Sequence, residues 1–159
     1  MRTDDQPITI SSPTVADAGE ILTVQRAAYV SEAQLYDNPT FTALTETVAD
    51  VHTAVEAGSV LIARLGTRIV GAVRGELAHG TCEVGRLVVA PDMQRRGIGR
   101  ALLAAIESKF SHADRFELFT GDRSAANIRL YERAGYIRTR VVPIADTASL
   151  IYLEKPARG

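Results

Sequence analysis

The sequence lacks the features that mark several classes of protein. It has one cysteine, Cys82, and no tryptophan among 159 residues, so no disulfide can form within the chain. No apolar run approaches the ~20 residues of a membrane span. The N-terminal residues also lack the apolar segment of a secretory signal. We therefore expect a cytoplasmic protein without a membrane partner.

The chain also lacks an excess of positive or negative charge. Eighteen Lys and Arg residues stand against nineteen Asp and Glu residues, a formal net charge of -1. This balance argues against a dedicated nucleic-acid binder, which carries an overall positive charge. Hydrophobic residues make up 46% of the chain, enough to bury a core. The length suits one domain, and we predict a single domain over residues 1–159 with no nucleic-acid partner.

Hydrophobic periodicity and turn residues divide the chain into short elements. The pattern predicts helices at 14–28, 45–57, 98–110 and 125–134, and strands at 8–10, 60–63, 69–73, 82–89, 115–120, 136–142 and 150–153. The stretch 32–44 is predicted to be irregular. A strand, a helix and a strand in succession favour a parallel crossover. The fold predicted is α+β, a mixed and mostly antiparallel sheet of six to seven strands with about four helices.

The most informative segment is a loop that joins a strand to a helix. It holds Gly97 and Gly99 together with Arg95, Arg96 and Arg100. Glycine lets the backbone approach a ligand closely, and the amides that open a helix carry a partial positive charge. The loop can therefore bind an anion such as a pyrophosphate. The alternative is that the glycines only turn the chain and the arginines form a solvated surface.

Other nucleotide-binding and catalytic motifs are missing. No Gly-x4-Gly-Lys-Ser/Thr occurs, which excludes a P-loop. A dinucleotide-binding turn fits poorly, because Leu102 stands at the third glycine position and the loop from Val89 to Gly97 is too long. No His-Glu-x-x-His, cysteine pair or Gly-x-Ser-x-Gly is present. We therefore predict no metal and no acyl-serine chemistry.

Two ordered motifs resemble the GNAT superfamily of N-acetyltransferases. Gln94–Gly99 matches its Arg/Gln-x-x-Gly-x-Gly/Ala signature, and Leu87–Pro91 matches the Leu-x-Val-x-Pro that precedes it. Further along, Leu130–Tyr136 is similar to the family's Leu-Tyr-x-x-x-Gly-Phe. The resemblance covers the order of elements from about residue 8 to residue 153. It implies a sheet whose fourth and fifth strands are parallel and splayed.

The resemblance implies an acetyl-coenzyme A site between the strands that end at Val89 and Thr120. Strand backbone groups would bind the pantetheine, and amides of the loop would bind the pyrophosphate. The cofactor-binding residues implied are Leu87, Val88, Val89, Gln94, Arg95, Arg96, Gly97, Ile98, Gly99, Arg100 and Asn127. Many members carry an asparagine seven residues before the motif tyrosine, where this chain has Ser124. A solvent-facing side chain is therefore the alternative for Asn127. Arg86 also fits the positive field of this site, with a surface position without a role as the alternative.

The resemblance also implies catalytic residues. Tyr131 stands where the family's tyrosine protonates the departing thiolate, with simple packing of the ring as the alternative. Glu83 lies eleven residues before Gln94, the spacing of the base in the histone acetyltransferase branch. The ribosomal-protein branch tends to carry its glutamate at the position of Phe119. We therefore assign the base to Glu83 and leave Glu117 or a water open.

The activity implied is transfer of acetyl from acetyl-coenzyme A to a primary amine of a small molecule or peptide. The amine would attack directly in a ternary complex, without a covalent enzyme intermediate. By position, the acceptor pocket is expected near Tyr29, Glu32, Tyr36 and Pro143. The sequence allows a homodimer. The alternative function is a non-catalytic module that senses acetyl-coenzyme A.

Overall fold

The computed structural model describes residues 6–37, 42–145 and 148–157. The strands are β1 (Ile8–Ser11), β2 (Val60–Leu65), β3 (Arg68–Ala78), β4 (Thr81–Val89), β5 (Arg115–Gly121), β6 (Ile137–Ala145) and β7 (Ala148–Pro156). The helices are α1 (Ala18–Leu35), α2 (Thr42–Thr45), α3 (Val48–Glu56), α4 (Ile98–Lys109) and α5 (Ala125–Arg133). In this part of the chain, none of the helices is both long enough and apolar enough to cross a membrane.

The seven strands form a sheet in the order β1-β2-β3-β4-β5-β7-β6. The β4–β5 pair is parallel, whereas the β1–β2, β2–β3, β5–β7 and β6–β7 pairs are antiparallel. The α+β fold with a mixed, mostly antiparallel sheet is therefore confirmed. The chain divides into two compact units, the first formed by Met1–Arg74 and Arg86–Ile106 and the second by Gly75–Gly85 and Glu107–Gly159.

The first unit has an aliphatic core. Its fully buried side chains come from helices and strands at the spacings expected of each, and include Ile21, Val51, Ile62, Ile69, Val73, Leu102 and Leu103. A β-carbon at Gly71 would lie 2.9 Å from the carbonyl oxygen of Val88 and 2.9 Å from a methyl of Leu102. Because real side chains do not tolerate such contacts, glycine at this position lets α4 pack directly on β3.

The second unit has a smaller core with aromatic members. Phe116, Leu118, Ile128, Tyr136 and Leu153 are buried. Cys82, on β4, is 0% exposed, and burial is the main cause that raises the pKa of its thiol to about 11. A buried thiol of this kind behaves as a small apolar side chain.

The stretch 32–44 was predicted to be irregular, and the structure overturns this in part. Helix α1 continues to Leu35 and α2 covers Thr42–Thr45, while residues 38–41 lie outside the described residues. The sequence from Ser31 to Leu35 contains no glycine or proline, so nothing stops the helix there. It ends just before Asp37, whose φ is +48°.

The second predicted helix, 45–57, was also placed too early. Thr47 is extended, with φ -98° and ψ 167°, and its hydroxyl accepts a hydrogen bond from the Asp50 amide at 3.2 Å. The Asp50 carboxylate accepts one from the Thr47 amide at 2.9 Å. This reciprocal capping box fixes the start of α3 at Val48 and separates it from α2. A capping box at Thr14 and Asp17, predicted from the sequence, is confirmed at the start of the first helical turn.

Candidate functional site

The loop between β4 and α4 is closed by three local contacts. The Ala90 amide donates to the Val70 carbonyl at 2.8 Å and thereby keeps the end of β4 beside β3. A short 3-10 turn at Pro91–Met93 follows, with the Met93 side chain buried. The Gln94 side-chain amide then donates back to the Val89 carbonyl at 3.4 Å. The chain therefore leaves the strand in a defined direction and returns to begin a helix.

Two residues of this loop have left-handed backbone conformations. Arg95 has φ +66° and Gly97 has φ +81°. A β-carbon at Gly97 would meet no heavy atom within 4 Å in the described structure. Glycine is favoured there because of its φ and not because of crowding. Helix α4 begins at the next residue, Ile98, which is buried and anchors the helix start.

The start of α4 is suited to an anion. The first amides of a helix have no carbonyl partner within the helix, and they carry the positive end of the helix dipole. Arg95 and Arg96 directly precede this end, Arg100 lies in the first turn, and all three side chains are exposed. Amide donors together with mobile positive charges suit the oxygens of a phosphate or pyrophosphate. The predicted loop residues thus lie together in the first unit.

The strand segment before the loop also belongs to the first unit. Val88 is buried, whereas Leu87 and Val89 are half-buried. Arg86 precedes them with φ +47°, an uncommon conformation for a residue with a β-carbon. The regular course of β4 is therefore altered directly before Leu87–Val89, the segment predicted to contact pantetheine.

Three carboxyl groups lie side by side in the second unit. Glu83 and Glu117 are register partners across β4 and β5, and Glu117 and Glu154 are partners across β5 and β7. Register partners share one face of a sheet, so their side chains are neighbours. Both base candidates, Glu83 and Glu117, are therefore adjacent, although their sequence positions did not indicate it.

The environment of Glu117 alters its acidity. Burial is the main cause that raises the pKa of Glu117, and a hydrogen bond with Glu154 and the charges of Glu154 and Glu83 raise it further. Arg140 opposes these effects, with its Nη2 3.7 Å from Glu117 Oε1. The Arg140 guanidinium also lies 4.0 Å from the centre of the Tyr152 ring. The raised pKa brings Glu117 closer to the range of a general base at neutral pH.

Tyr131 lies on α5 and is 7% exposed. Its ring centre lies 6.2 Å from that of Tyr136, with the planes tilted by 53°. The Tyr136 hydroxyl donates to Glu107 at 2.8 Å, and Lys155 donates to the same carboxylate at 2.9 Å. The position of Tyr131 is therefore fixed by a packed neighbour that is itself held by hydrogen bonds.

Asn127 lies one helical turn before Tyr131, half-buried. Its side-chain amide donates to the Thr120 hydroxyl at 3.4 Å and so links α5 to β5. Ser124 is the buried N-cap residue of α5. The second unit thus holds Glu83, Asn127 and Tyr131. The described residues contain no group of three or more His, Cys, Asp and Glu side chains arranged to hold a metal ion.

The sequence reasoning missed one polar group in the first unit. We call it the arginine cluster, and it consists of Gln25, Tyr29, Glu46, Arg74 and Arg86. Gln25 gave a signal, because it follows Ile21 by four residues and therefore lies on the apolar face of α1. Of the predicted acceptor residues, Tyr29 belongs to this cluster, and Glu32 lies close enough for its charge to act on the Tyr29 phenol. Tyr36 is half-buried after α1, and Pro143 lies exposed on β6.

Comparison with known proteins finds a matching family and solved structures with a similar fold. A sequence model of the acetyltransferase (GNAT) family matches residues 23–136. The PaiA N-acetyltransferase of Thermoplasma acidophilum, solved with coenzyme A, is 15% identical and has a TM-score of 0.80, covering 95% of this chain and 99% of that chain. The ribosomal-protein-S18-alanine N-acetyltransferase of Escherichia coli is 19% identical and has a TM-score of 0.77, covering 95% of this chain and 94% of that chain. At these identities the likeness shows a shared fold.

A curated relative matches at higher identity over part of its length. The UPF0157 protein YqkA of Bacillus subtilis is 32% identical over 129 residues, or 81% of this chain. This chain spans 37% of the length of that relative.

Proposed function

This chain belongs to the acetyltransferase (GNAT) family, and from that premise we propose that it transfers acetyl from acetyl-coenzyme A to a primary amine. The acceptor is a small molecule or a peptide, and the chain acts as one N-acetyltransferase domain. The amine attacks the thioester directly within a ternary complex. The single observation that carries the proposal is the loop before α4, where Gly97 has a left-handed φ and three exposed arginines lie within three residues of the helix start.

In this proposal the loop binds the pyrophosphate of the cofactor. The amides of residues 95–100 supply the donors, and the arginines supply charge without a fixed geometry. Gln94 closes the loop through its bond to the Val89 carbonyl. The backbone of Leu87–Val89 pairs with pantetheine as an added strand. Asn127 assists by holding α5 to β5 through Thr120.

Tyr131 acts as the general acid. When the tetrahedral intermediate collapses, the C–S bond breaks and the coenzyme A sulfur takes up the electron pair as a thiolate. The phenol of Tyr131 gives it a proton. Its burial and the contact with Tyr136 support this role, because a general acid needs a fixed position more than an exposed one.

Glu83 acts as the base. An amine acceptor arrives mostly as its ammonium ion at neutral pH, and attack requires the free lone pair. Glu83 is exposed on the open face of β4 and takes the proton directly or through a water. The adjacent Glu117, whose pKa is raised by burial, supports proton transfer at this place and is the alternative base.

The first test is cofactor binding. Acetyl-coenzyme A at a hundred times its Kd should stabilise the protein by about 2.7 kcal/mol, and the resulting rise in Tm is measurable. NAD and ATP should raise the Tm much less, and an equal rise with NAD would contradict the proposal. Gly99→Val and the double change Arg95→Gln with Arg96→Gln should reduce the shift. Lys109→Gln with Arg115→Gln removes the same charge from exposed positions elsewhere and should not.

The second test separates an enzyme from a sensing module. A thiol-release assay against an amine panel should find turnover, and binding without turnover of any amine would favour the module. Tyr131→Phe should then lower turnover by roughly 10²- to 10⁴-fold with little change in cofactor affinity. Tyr136→Phe is the matched control, because it deletes the neighbouring hydroxyl that bonds Glu107. That control should cost stability and retain turnover.

A further inference from the structure

The arginine cluster joins α1 to β3 through Glu46. Arg74 Nη1 donates to Glu46 Oε2 at 3.0 Å, and the Gln25 amide donates to Glu46 Oε1 at 3.0 Å. The same Gln25 amide donates to the Ala43 carbonyl at 2.9 Å. These bonds satisfy the Glu46 carboxylate and account for Gln25 and Arg74 as structural residues.

Arg86 is held differently from Arg74. Its Nη2 lies 3.7 Å from Glu46 Oε2, beyond hydrogen-bond length. Its Nε is buried and has no hydrogen-bond partner among the described residues. A buried donor without a partner costs free energy that a ligand oxygen can recover. The side chain as a whole is 26% exposed, so Arg86 is not sealed from solvent although its Nε is buried.

The backbone of Arg86 supports a role in binding. Its φ of +47° lies in the left-handed region, where a residue with a β-carbon is strained. Such strain persists only where the surrounding structure holds it, and it concentrates at ligand sites. The residue directly precedes Leu87–Val89, the segment assigned to pantetheine. The Arg86 side chain therefore starts beside the part of the strand that leads to the thioester.

Tyr29 adds a second donor to this place. Burial raises the pKa of Tyr29, so its phenol stays neutral and keeps its proton. Among the neighbouring charges Arg86 has the largest effect, followed by Glu32, Arg74 and Glu46. Because the charge of Arg86 acts on this phenol, the two donors lie in the same neighbourhood, and together they suit a carboxylate.

We propose that Arg86 binds the carboxylate of the amine acceptor, so that the substrates are free amino acids and other small aminocarboxylates. The inference rests on the proposed acetyl transfer and names its substrate class. The Nε–H and one Nη–H of a guanidinium point the same way and match the two oxygens of a carboxylate. The Tyr29 hydroxyl donates to the same group. Glu46 holds Arg74 and limits the movement of the Arg86 end.

The main experiment compares each amino acid with its amide as acceptor. Arg86→Gln should lower kcat/KM for the amino acid by roughly 10- to 100-fold, mostly through KM, and should lower it much less for the amide. Comparing variant with wild type for each acceptor cancels the difference in basicity between the two amines. Arg86→Lys keeps the charge but loses the paired N–H donors of the guanidinium. Its kcat/KM for the amino acid should therefore lie between those of the wild type and Arg86→Gln. An equal loss for both acceptors would show a merely structural role and overturn the inference.

A binding experiment avoids dependence on turnover. N-acetylglycine and N-acetylglycinamide, the products expected from such a pair, are titrated into the protein with coenzyme A and followed by NMR. The acid should bind at least about tenfold more tightly than the amide, and Arg86→Gln should abolish that preference. The Tm of each variant verifies that it is folded.

The two proposals fail in different ways. If acetyl-coenzyme A binds and amines are acetylated with no preference for a carboxylate, the substrate class is wrong and the transferase function stands. If no amine is acetylated but N-acetylglycine binds through Arg86, the acid-binding site stands and the transferase function fails.

Discussion

Two glutamates, one in each unit, are buried to a similar extent, but their pKa values are shifted in opposite directions. The side chains of Glu46 and Glu117 are 10% and 18% exposed. Burial raises the pKa of both, but hydrogen bonds from Arg74 and Gln25 outweigh it at Glu46 and lower the pKa there. At Glu117 the neighbours are Glu154 and Glu83, and the pKa stays raised. The partners of a buried carboxyl, more than its depth, decide its charge.

The difference in pKa also indicates different roles for the two glutamates, a structural one for Glu46 and one in proton transfer for Glu117. A carboxylate saturated by a guanidinium and an amide holds elements together and has little tendency to accept a proton. A carboxyl beside two others is poorly stabilised as the charged form, so its pKa is raised and it holds its proton to higher pH. We therefore expect changes around Glu46 to act on stability, and changes around Glu117 to act on turnover.

The largest expected effect comes from removing the cation that holds Glu46. Arg74→Met leaves a buried carboxylate without its main partner and should lower the free energy of unfolding by about 3 kcal/mol. Denaturant unfolding measures this loss. Arg68→Met is the matched control on the same strand, because Arg68 pairs with Asp92 where both side chains are at least half exposed. If the two variants lose equal stability, the ion pair of Arg74 with Glu46 does not hold α1 to β3 as proposed.

A smaller effect, on turnover, is expected from the second unit. Glu83→Gln should keep acetyl-coenzyme A binding and lower turnover at neutral pH by on the order of 10²-fold, with partial recovery as rising pH deprotonates the free amine. Initial rates with an acceptor from the panel measure it. Glu76→Gln removes an exposed carboxylate from β3 and serves as the control.

The same assay determines whether Glu83 or the adjacent Glu117 is the base. Should Glu83→Gln retain wild-type rates from about pH 6 to about pH 9 while Glu117→Gln loses them, Glu117 is the base. If neither substitution matters, proton removal goes through water and the role given to this group of carboxyls is wrong.

The smallest effect is on the pH dependence of stability. The folded state holds the Glu117 proton more tightly than the unfolded state does, so this group disfavours folding as pH rises above its ordinary pKa of 4.5. Glu117→Gln should therefore raise the Tm at neutral pH, by on the order of 2 °C, and change it little at acidic pH.

The contribution of Glu46 to the pH dependence of stability has the opposite sign. Its lowered pKa stabilises the fold above the ordinary value of 4.5, and this contribution is lost as pH falls through the lowered pKa. Glu46→Gln should lower the Tm at neutral pH and have less effect in acid. Tm profiles of the two variants that run in parallel would contradict the comparison.

The features that the sequence could predict are those whose interacting residues lie close together along the chain. The capping box at Thr14 and Asp17 and the glycine loop before α4 are local patterns, and the structure has both. The continuation of α1 to Leu35 was missed, although residues 32–35 are good helix formers and no glycine or proline stops the helix there. The motif order also predicted the parallel pairing of β4 with β5, which is confirmed.

The polar clusters could not be predicted in this way. Gln25 and Arg74 are 49 residues apart, and only the fold brings them to the same carboxylate. Glu83 and Glu117 were each recognised as base candidates, but their adjacency depends on the register between two strands separated by a helix. The alternating buried residues, Cys82 and Val84 on β4 and Phe116 and Leu118 on β5, indicate which face of each strand is buried. They do not indicate which residue of one strand lies opposite which residue of the other.

The buried thiol of Cys82 has a practical consequence for these measurements. The thiolate is the species that attacks disulfide reagents, and a pKa of about 11 leaves little of it at neutral pH. A colorimetric thiol reagent added to the folded protein should therefore react with released coenzyme A and leave the protein's single cysteine unmodified. The slow labelling of Cys82 that remains then measures how often β4 opens, which makes the residue a built-in reporter of local unfolding.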